Sequence, residues 1–465
     1  MKSLFSAAAM VLLASTARGE QWLQRYHDAQ HTSFINAAID PLNRVTFRYT
    51  FDNSPLTAIH YTDPKIESNG DLFVPRRERV GSTVTYGMRM LSGGTEVWAF
   101  TSDYVREPGT SWEPLFDFAM DNGTVYVMGA YGCAWRLNES DGSMIDRKCA
   151  TDPVDPTGEP IWDVSPFTID GNGNVYWTIR SASDLIASSL IMLEPSGNVT
   201  ASDLGSLVGD GQIAANNSAP AVSADNGTIY VATRFGEERF GEGMLTALDA
   251  SDPTLRTTLW SASLSPGGDC GEAFLHESGT SSPIALPDGA AIGGWNTDPN
   301  PTSQGWYYSF DSNGNLRGCY PFGWDDTMGQ INLNGTTYLV GKHNHYTLNS
   351  PQCDNGIDPP VDPPCYEVVV LDSVSMQKQW SYLEPSTPPR EWCIDAPTLF
   401  KDGDDGYFTA PSESGKLLRV RIFSNPPEET DVAVGAAQSA PYVPTVSIGG
   451  PAYTINHGQI VGAGF

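Results

Sequence analysis

The feature that most limits how this chain can fold is a short pattern recurring along nearly its whole length. A proline preceded by small or acidic residues leads a few apolar residues, a Gly-containing turn and then an aromatic β run. Proline marks the pattern at Pro64, Pro114, Pro166, Pro220, Pro283, Pro397 and Pro441. The turns are Asn69-Gly70, Asn122-Gly123, Asn172-Gly173, Asn226-Gly227, Asp288-Gly289, Asp402-Gly403 and Gly449-Gly450, and a copy without the proline centres on Asn334-Gly335. From Pro64 to Pro441 run seven intervals of about 54 residues, the period of propeller blades.

Each turn opens a strand such as Val125-Tyr126-Val127, Val175-Tyr176-Trp177 or Ile229-Tyr230-Val231. Asn-Gly or Asp-Gly beside alternating apolar residues is the strongest short-range hairpin signal. A third strand ends in Leu-Asp (Leu245 to Asp249, Val368 to Asp372), and a fourth carries Trp98, Trp260 or Trp380. Four antiparallel strands make one blade. The last copy supplies only three strands, and an orphan strand, Arg44 to Tyr49, precedes the first copy. Pairing the two would remove two sheet edges. The chain therefore reads as all-β, an eight-bladed β-propeller closed by its N- and C-terminal strands, with seven blades as the alternative.

Lys2, the apolar stretch Leu4 to Leu13 and the small residues Ala14 to Ala17 read as a signal peptide over 1–19, leaving 20–465 as one propeller domain. No later segment approaches the length of a membrane span, so a secreted, monomeric protein is expected. With 26 Lys+Arg against 55 Asp+Glu, the net charge of −29 opposes nucleic acid and anionic membranes as partners. In an oxidising compartment the seven cysteines favour disulfides, and sequence neighbours suggest Cys133–Cys149, Cys270–Cys319 and Cys353–Cys365, with Cys393 able to replace a partner. Glycosylation sequons stand at Asn122, Asn138, Asn198, Asn216, Asn226 and Asn334. Three of them are Asn-Gly-Thr, which hairpin chemistry alone also produces.

The opening Trp22-Leu23-Gln24-Arg25-Tyr26-His27-Asp28-Ala29-Gln30-His31-Thr32 and the blades from Pro220 to Trp260 and Asn334 to Trp380 resemble the quinoprotein-like (PQQ-like repeat) propeller family. The resemblance implies that Trp98, Trp260 and Trp380 dock neighbouring blades. It also implies two kinds of relative. Some are dehydrogenases holding pyrroloquinoline quinone and calcium over the ring centre, with an aspartate base. Others are scaffolds without cofactor. The adjacent-cysteine pair of many alcohol-oxidising members is missing.

Candidate pocket residues stand just before the inner strands, where loops open toward the ring centre: Glu113, Trp162, Asp163, Trp392 and Asp395. A carboxylate beside an aromatic could hold a cation or an alcohol, although Asp and Ser before Pro also simply suit turns. Asp170 to Asn174 and Asp311 to Asn315 look like the front of a calcium loop, but Ser181 and Phe322 stand where its closing Glu belongs, so both read as turns. His343 and His345 would share one strand face. With no third ligand evident they read as an exposed strand end, and no metal site is assigned. The catalytic residues stay open. The leading expectation is a secreted binding or scaffold module for an extracellular protein, glycan or small molecule, recognising it through loops such as Arg234 to Gly243 and Ser350 to Pro364. The alternative is a PQQ- and calcium-dependent dehydrogenase of an alcohol or sugar, with Asp163 or Asp395 near the cofactor.

Overall fold

Short alternating runs separated by turn residues can bury their apolar positions only by pairing as hairpins and stacking sheet on sheet. The computed structural model shows that outcome, eight blades of antiparallel strands around one axis with almost no helix, the fourth and fifth joined into one sheet through Phe274–His276. It describes residues 20–52, 63–105, 116–150, 161–163, 165–181, 188–236, 240–276, 281–295, 305–323, 326–345, 364–384, 392, 394–437 and 445–464. Blades 1 to 7 start at the axis with Lys65–Ile66, Phe118–Asp121, Thr168–Ile169, Ala221–Val222, Ile284–Leu286, Gly329–Leu333 and Thr398–Asp402. In blade 8, Arg44–Thr50 pairs antiparallel with Gln459–Gly464, which pairs with Ala452–Asn456, and Val446 bridges to Tyr453 on the axial side. The ring is therefore closed by strands from both ends of the chain, as expected.

The core lies between blades. One apolar cluster joins Phe73 and Trp98 of blade 1, Phe118 and Val127 of blade 2 and Trp177 of blade 3. Another joins blades 7, 8 and 1 through Trp22, Ile35, Ile39 and Leu42 of the opening segment. The outer-strand tryptophans all make the same contact. The indole N–H of Trp98 donates to the Glu139 carbonyl at 2.9 Å, Trp260 to Ser312 at 3.0 Å and Trp380 to Ser424 at 3.3 Å, each in the next blade.

Two disulfides match the expected pairs, Cys133–Cys149 and Cys270–Cys319. Cys365 is also disulfide-bonded, and Cys353 and Cys393 lie outside the described residues. Asn122, Asn198 and Asn334 are exposed, Asn138 and Asn226 half-buried and Asn216 buried. Of the expected loop Arg234 to Gly243, residues 237–239 lie outside the described residues. Its two arms end a ladder in which Arg234 pairs with Gly243 between Thr228–Phe235 and Phe240–Asp249. Ser350 to Pro363 lies outside the described residues. Among the described residues no helix is long and apolar enough to cross a membrane.

Candidate functional site

Residues restricted to extended backbone by a following proline cannot start a helix, so each enters its inner strand directly. Asp63, Ser165 and Ser282 stand in that position, and with Asp117, Ser218, Asp326, Asp395 and Thr445 they form the polar heads of the inner strands at the axis, all buried. The opening segment runs among them and touches the blades in order. Trp22 exchanges both backbone hydrogen bonds with Ile66 of blade 1 at 2.8 Å, and Met120 of blade 2 donates to the Leu23 carbonyl at 2.9 Å. The Gln24 amide imitates a strand, accepting from Ile169 N–H at 2.6 Å and donating to its carbonyl at 2.9 Å. Val222, Ala285, Gln330 and Leu399, of blades 4 to 7, donate to the carbonyls of Ala29, Gln30, Thr32 and Ser33 at 2.7–3.0 Å. Asp40 donates to Gly450 of blade 8 at 2.8 Å.

This course bends the backbone sharply. Tyr26, His27, His31 and Ser33 take φ of 60°, 78°, 61° and 50°, a left-handed conformation that costs a non-glycine residue about 1 kcal/mol or more and persists only where the surroundings impose it. Arg25 and Tyr26 converge on Asp395, with Arg25 Nη2 2.5 Å and Tyr26 Oη 2.8 Å from Asp395 Oδ2. The Tyr26 hydroxyl also meets Ser282 Oγ at 3.2 Å and Thr327 Oγ1 at 3.1 Å. His31 spans the axis. Its Nδ1–H donates to the Pro283 carbonyl at 2.7 Å, which leaves Nε2 to accept from the Thr168 hydroxyl at 3.1 Å. Lys65 Nζ lies 2.8 Å from Asp63 and 3.5 Å from Asp117, and Lys342 Nζ donates to the Ile394 carbonyl at 3.0 Å.

Burial pushes the Asp395 carboxyl above its ordinary value even with the Arg25 guanidinium against it. Burial pushes Asp326 much further up, opposed by Lys342 and its backbone N–H. Burial also holds the His31 imidazole down at about 4. His27 behaves oppositely. Burial lowers it, but hydrogen bonds to Asp28 and Glu20 outweigh that and raise it to about 9, so it is an imidazolium at neutral pH. His27 lines a cleft of about 370 Å³ between the opening segment and blades 2 to 4, with Leu23, Gln24, Asp28 and Asp170.

Of the residues expected to line a central pocket, Asp395 reaches the axis. Trp392 is fully buried. It packs between Tyr382 of blade 6 and Phe408 of blade 7. Trp162 and Asp163 pair by backbone with Arg180 and Ile179, and Glu113 lies outside the described residues. The two calcium-like loops are turns whose carboxylates serve their own backbone. Asp170 Oδ1 accepts from the N–H of Asn172 and Asn174, and Asp311 Oδ1 from those of Asn313 and Asn315, all at 2.8–2.9 Å. His343 and His345, expected at an exposed strand end, are 4% and 1% exposed: Tyr320 of blade 5 packs on His343, and His345 stacks on His343. Sequence reasoning missed Arg25, Tyr26, His31, Lys65 and Asp326. The available signal was the opening segment itself, too rich in hydrogen-bonding side chains for a passive lead-in.

Among solved structures the fold is similar to a europium-containing methanol dehydrogenase, with TM-score 0.58 and 12% identity over 96% of this chain and 90% of that one. It is likewise similar to the quinohemoprotein alcohol dehydrogenase from Comamonas testosteroni, with TM-score 0.56 and 14% identity over 96% of this chain and 77% of that one. A quinohemoprotein alcohol dehydrogenase from Pseudomonas putida HK5 gives TM-score 0.58 and 11% identity over 96% of this chain and 76% of that one. Such identities carry the fold alone. No protein-family model and no curated protein matches the sequence.

Proposed function

We propose that this chain, an eight-bladed ring of the fold found in quinoprotein alcohol dehydrogenases, is an exported binding module that engages an extracellular protein, glycan or small molecule through its ring faces. The observation that carries the reading is the opening segment, which takes up the axis and bonds to every blade. Ligands of a ring whose centre is filled by its own chain are left to the faces, where loops ride on rigid sheets. The cleft around His27 is the candidate contact, and its charged and amide groups suit a polar ligand. The disulfides support an oxidising compartment.

The axial residues do not fit a calcium–quinone pair. Calcium takes roughly six to eight oxygen ligands. Here Asp63, Asp117, Asp326 and Asp395 stand among Arg25, Lys65 and Lys342, and only Asp326 Oδ1 and Asp395 Oδ1 are buried acidic oxygens without a hydrogen-bond partner among the described residues. Calorimetric titration of pyrroloquinoline quinone with calcium into the purified protein tests the reading. No heat and no thermal shift are expected. Tight one-to-one binding, weakened by Asp395→Ala, would overturn the scaffold reading in favour of the dehydrogenase.

A further inference from the structure

The strand Thr336–His345 of blade 6 pairs antiparallel with Cys365–Asp372, and the register sets His343 directly opposite Glu367. Side chains two residues apart share a strand face, so His345 joins them. All three are buried, at 4%, 1% and 0% exposure. The imidazoles stack with centroids 3.6 Å apart, and one ligand atom from each residue lies within 4.8 Å of the others. His345 Nε2 is 3.1 Å from Glu367 Oε2, while His345 Nδ1 is buried without a hydrogen-bond partner. A buried imidazole with one nitrogen unsatisfied is the kind of orphan that an ion or water explains.

We propose that His343, His345 and Glu367 form a binding site for a divalent transition metal of the zinc type at the seam between blades 5 and 6. Two imidazoles and a carboxylate are the donor set of borderline ions, not of calcium or magnesium, which take oxygen. With Nε2–H of His345 donating to Glu367 Oε2, the unpartnered Nδ1 lone pair is the one left for an ion, and the ligand atoms, within 4.8 Å of one another, need to close only to the roughly 3.3 Å of a tetrahedral site. Groups behind the ligands are placed to hold them. Tyr320, from the outer strand of blade 5, has its hydroxyl 3.0 Å from His343 Nδ1. If Nδ1–H donates to that oxygen, the Nε2 lone pair is left for the ion. Ser381 Oγ donates to Glu367 Oε1 at 2.8 Å, fixing the carboxylate. Lys378 Nζ, 3.6 Å from the same oxygen, opposes a cation and would swing outward on binding. Three protein ligands leave a fourth position for water. The site lies in the seam rather than at the axis, so it is independent of the scaffold reading.

The test titrates zinc chloride into the chelator-stripped, full-length protein by calorimetry and follows cobalt(II) substitution by visible absorption. One equivalent of zinc is expected to bind, with d–d bands of a nitrogen–oxygen tetrahedral site for cobalt and a rise in unfolding temperature. Glu367→Gln and His345→Gln should each weaken zinc at least 100-fold. Tyr320→Phe keeps all three ligands and the ring packing, and should weaken it about 10-fold, as loss of an outer-shell partner does. His27→Gln, at the half-buried histidine–carboxylate group of the opening segment, should leave it unchanged. The absence of stoichiometric zinc or cobalt binding by folded wild-type protein would overturn the site. So would binding that Glu367→Gln leaves intact, or a calcium response in place of a zinc response.

Discussion

His27 and His31 lie four residues apart in the opening segment, yet the protein shifts them in opposite directions. His31 is depressed to about 4 by burial, facing Arg25 and Asp28, so it is neutral when folded and protonates when unfolded. Its contribution is present above the unfolded value near 6.5 and is lost as pH falls from there toward 4. His27, held by Asp28 and Glu20, is raised to about 9, so its contribution is complete below about 6.5 and is lost as pH rises toward 9. Each is on the order of 3 kcal/mol. Urea unfolding against pH should therefore flatten on the acid limb in His31→Gln and on the alkaline limb in His27→Gln. A limb that survives its own substitution would remove that histidine from the account. At this scale the sequence showed one end of each interaction. Asp395 stood out because it precedes Ala396-Pro397 at the head of an inner strand, but its partner Arg25 is 370 residues away. Glu367 escaped notice because a cross-strand register is invisible in the strand that carries His343 and His345.

Between elements, the outer-strand tryptophan reaches the next blade at a glycine that cannot be otherwise. Gly142, at φ +68°, approaches Trp98 so closely that an added Cβ would lie 2.6 Å from its ring, and Gly314, at φ +79°, meets Trp260 at 2.8 Å. Gly142→Ala should destabilise by about 2–4 kcal/mol, combining left-handed backbone strain with overpacking. In a Trp98→Ala background only the strain of about 1 kcal/mol should remain. A double-mutant cycle on urea unfolding should thus return a coupling of roughly 1–3 kcal/mol, and strict additivity would sever the pair. The tryptophans stood out because three repeats share them, and their docking role was what the family resemblance implies. Blades without tryptophan use residues that no repeat consensus flags. Arg136 of blade 2 donates to the Pro195 carbonyl of blade 3 at 3.1 Å, and Phe47 of blade 8 packs toward Gly94 of blade 1.

For the whole molecule, the count of eight and the closure by Arg44–Thr50 followed from repeat spacing and from a three-stranded final copy, both of which are local signals. The path of the opening segment is not local. Its residues have no period and their partners lie in all eight blades, so only the closed ring defines it. That path makes a testable demand on cooperativity. The amides of Met120, Val222, Ala285, Gln330 and Leu399 belong to five blades but donate to carbonyls of one short stretch, Leu23 to Ser33. Their acceptors leave together if the segment leaves as a unit, so native-state hydrogen exchange should give all five one opening free energy. Tyr26→Phe deletes the hydroxyl shared with Asp395, Ser282 and Thr327. Loss of those buried hydrogen bonds, on the order of 1–3 kcal/mol, should speed exchange of all five by a common factor of about 5 to 150. Amides of Val125 and Val231, inside blade hairpins, should respond less. Five unrelated rates would mean that the segment frays blade by blade, leaving the strand pair Arg44–Thr50 and Gln459–Gly464 to hold the ring closed alone.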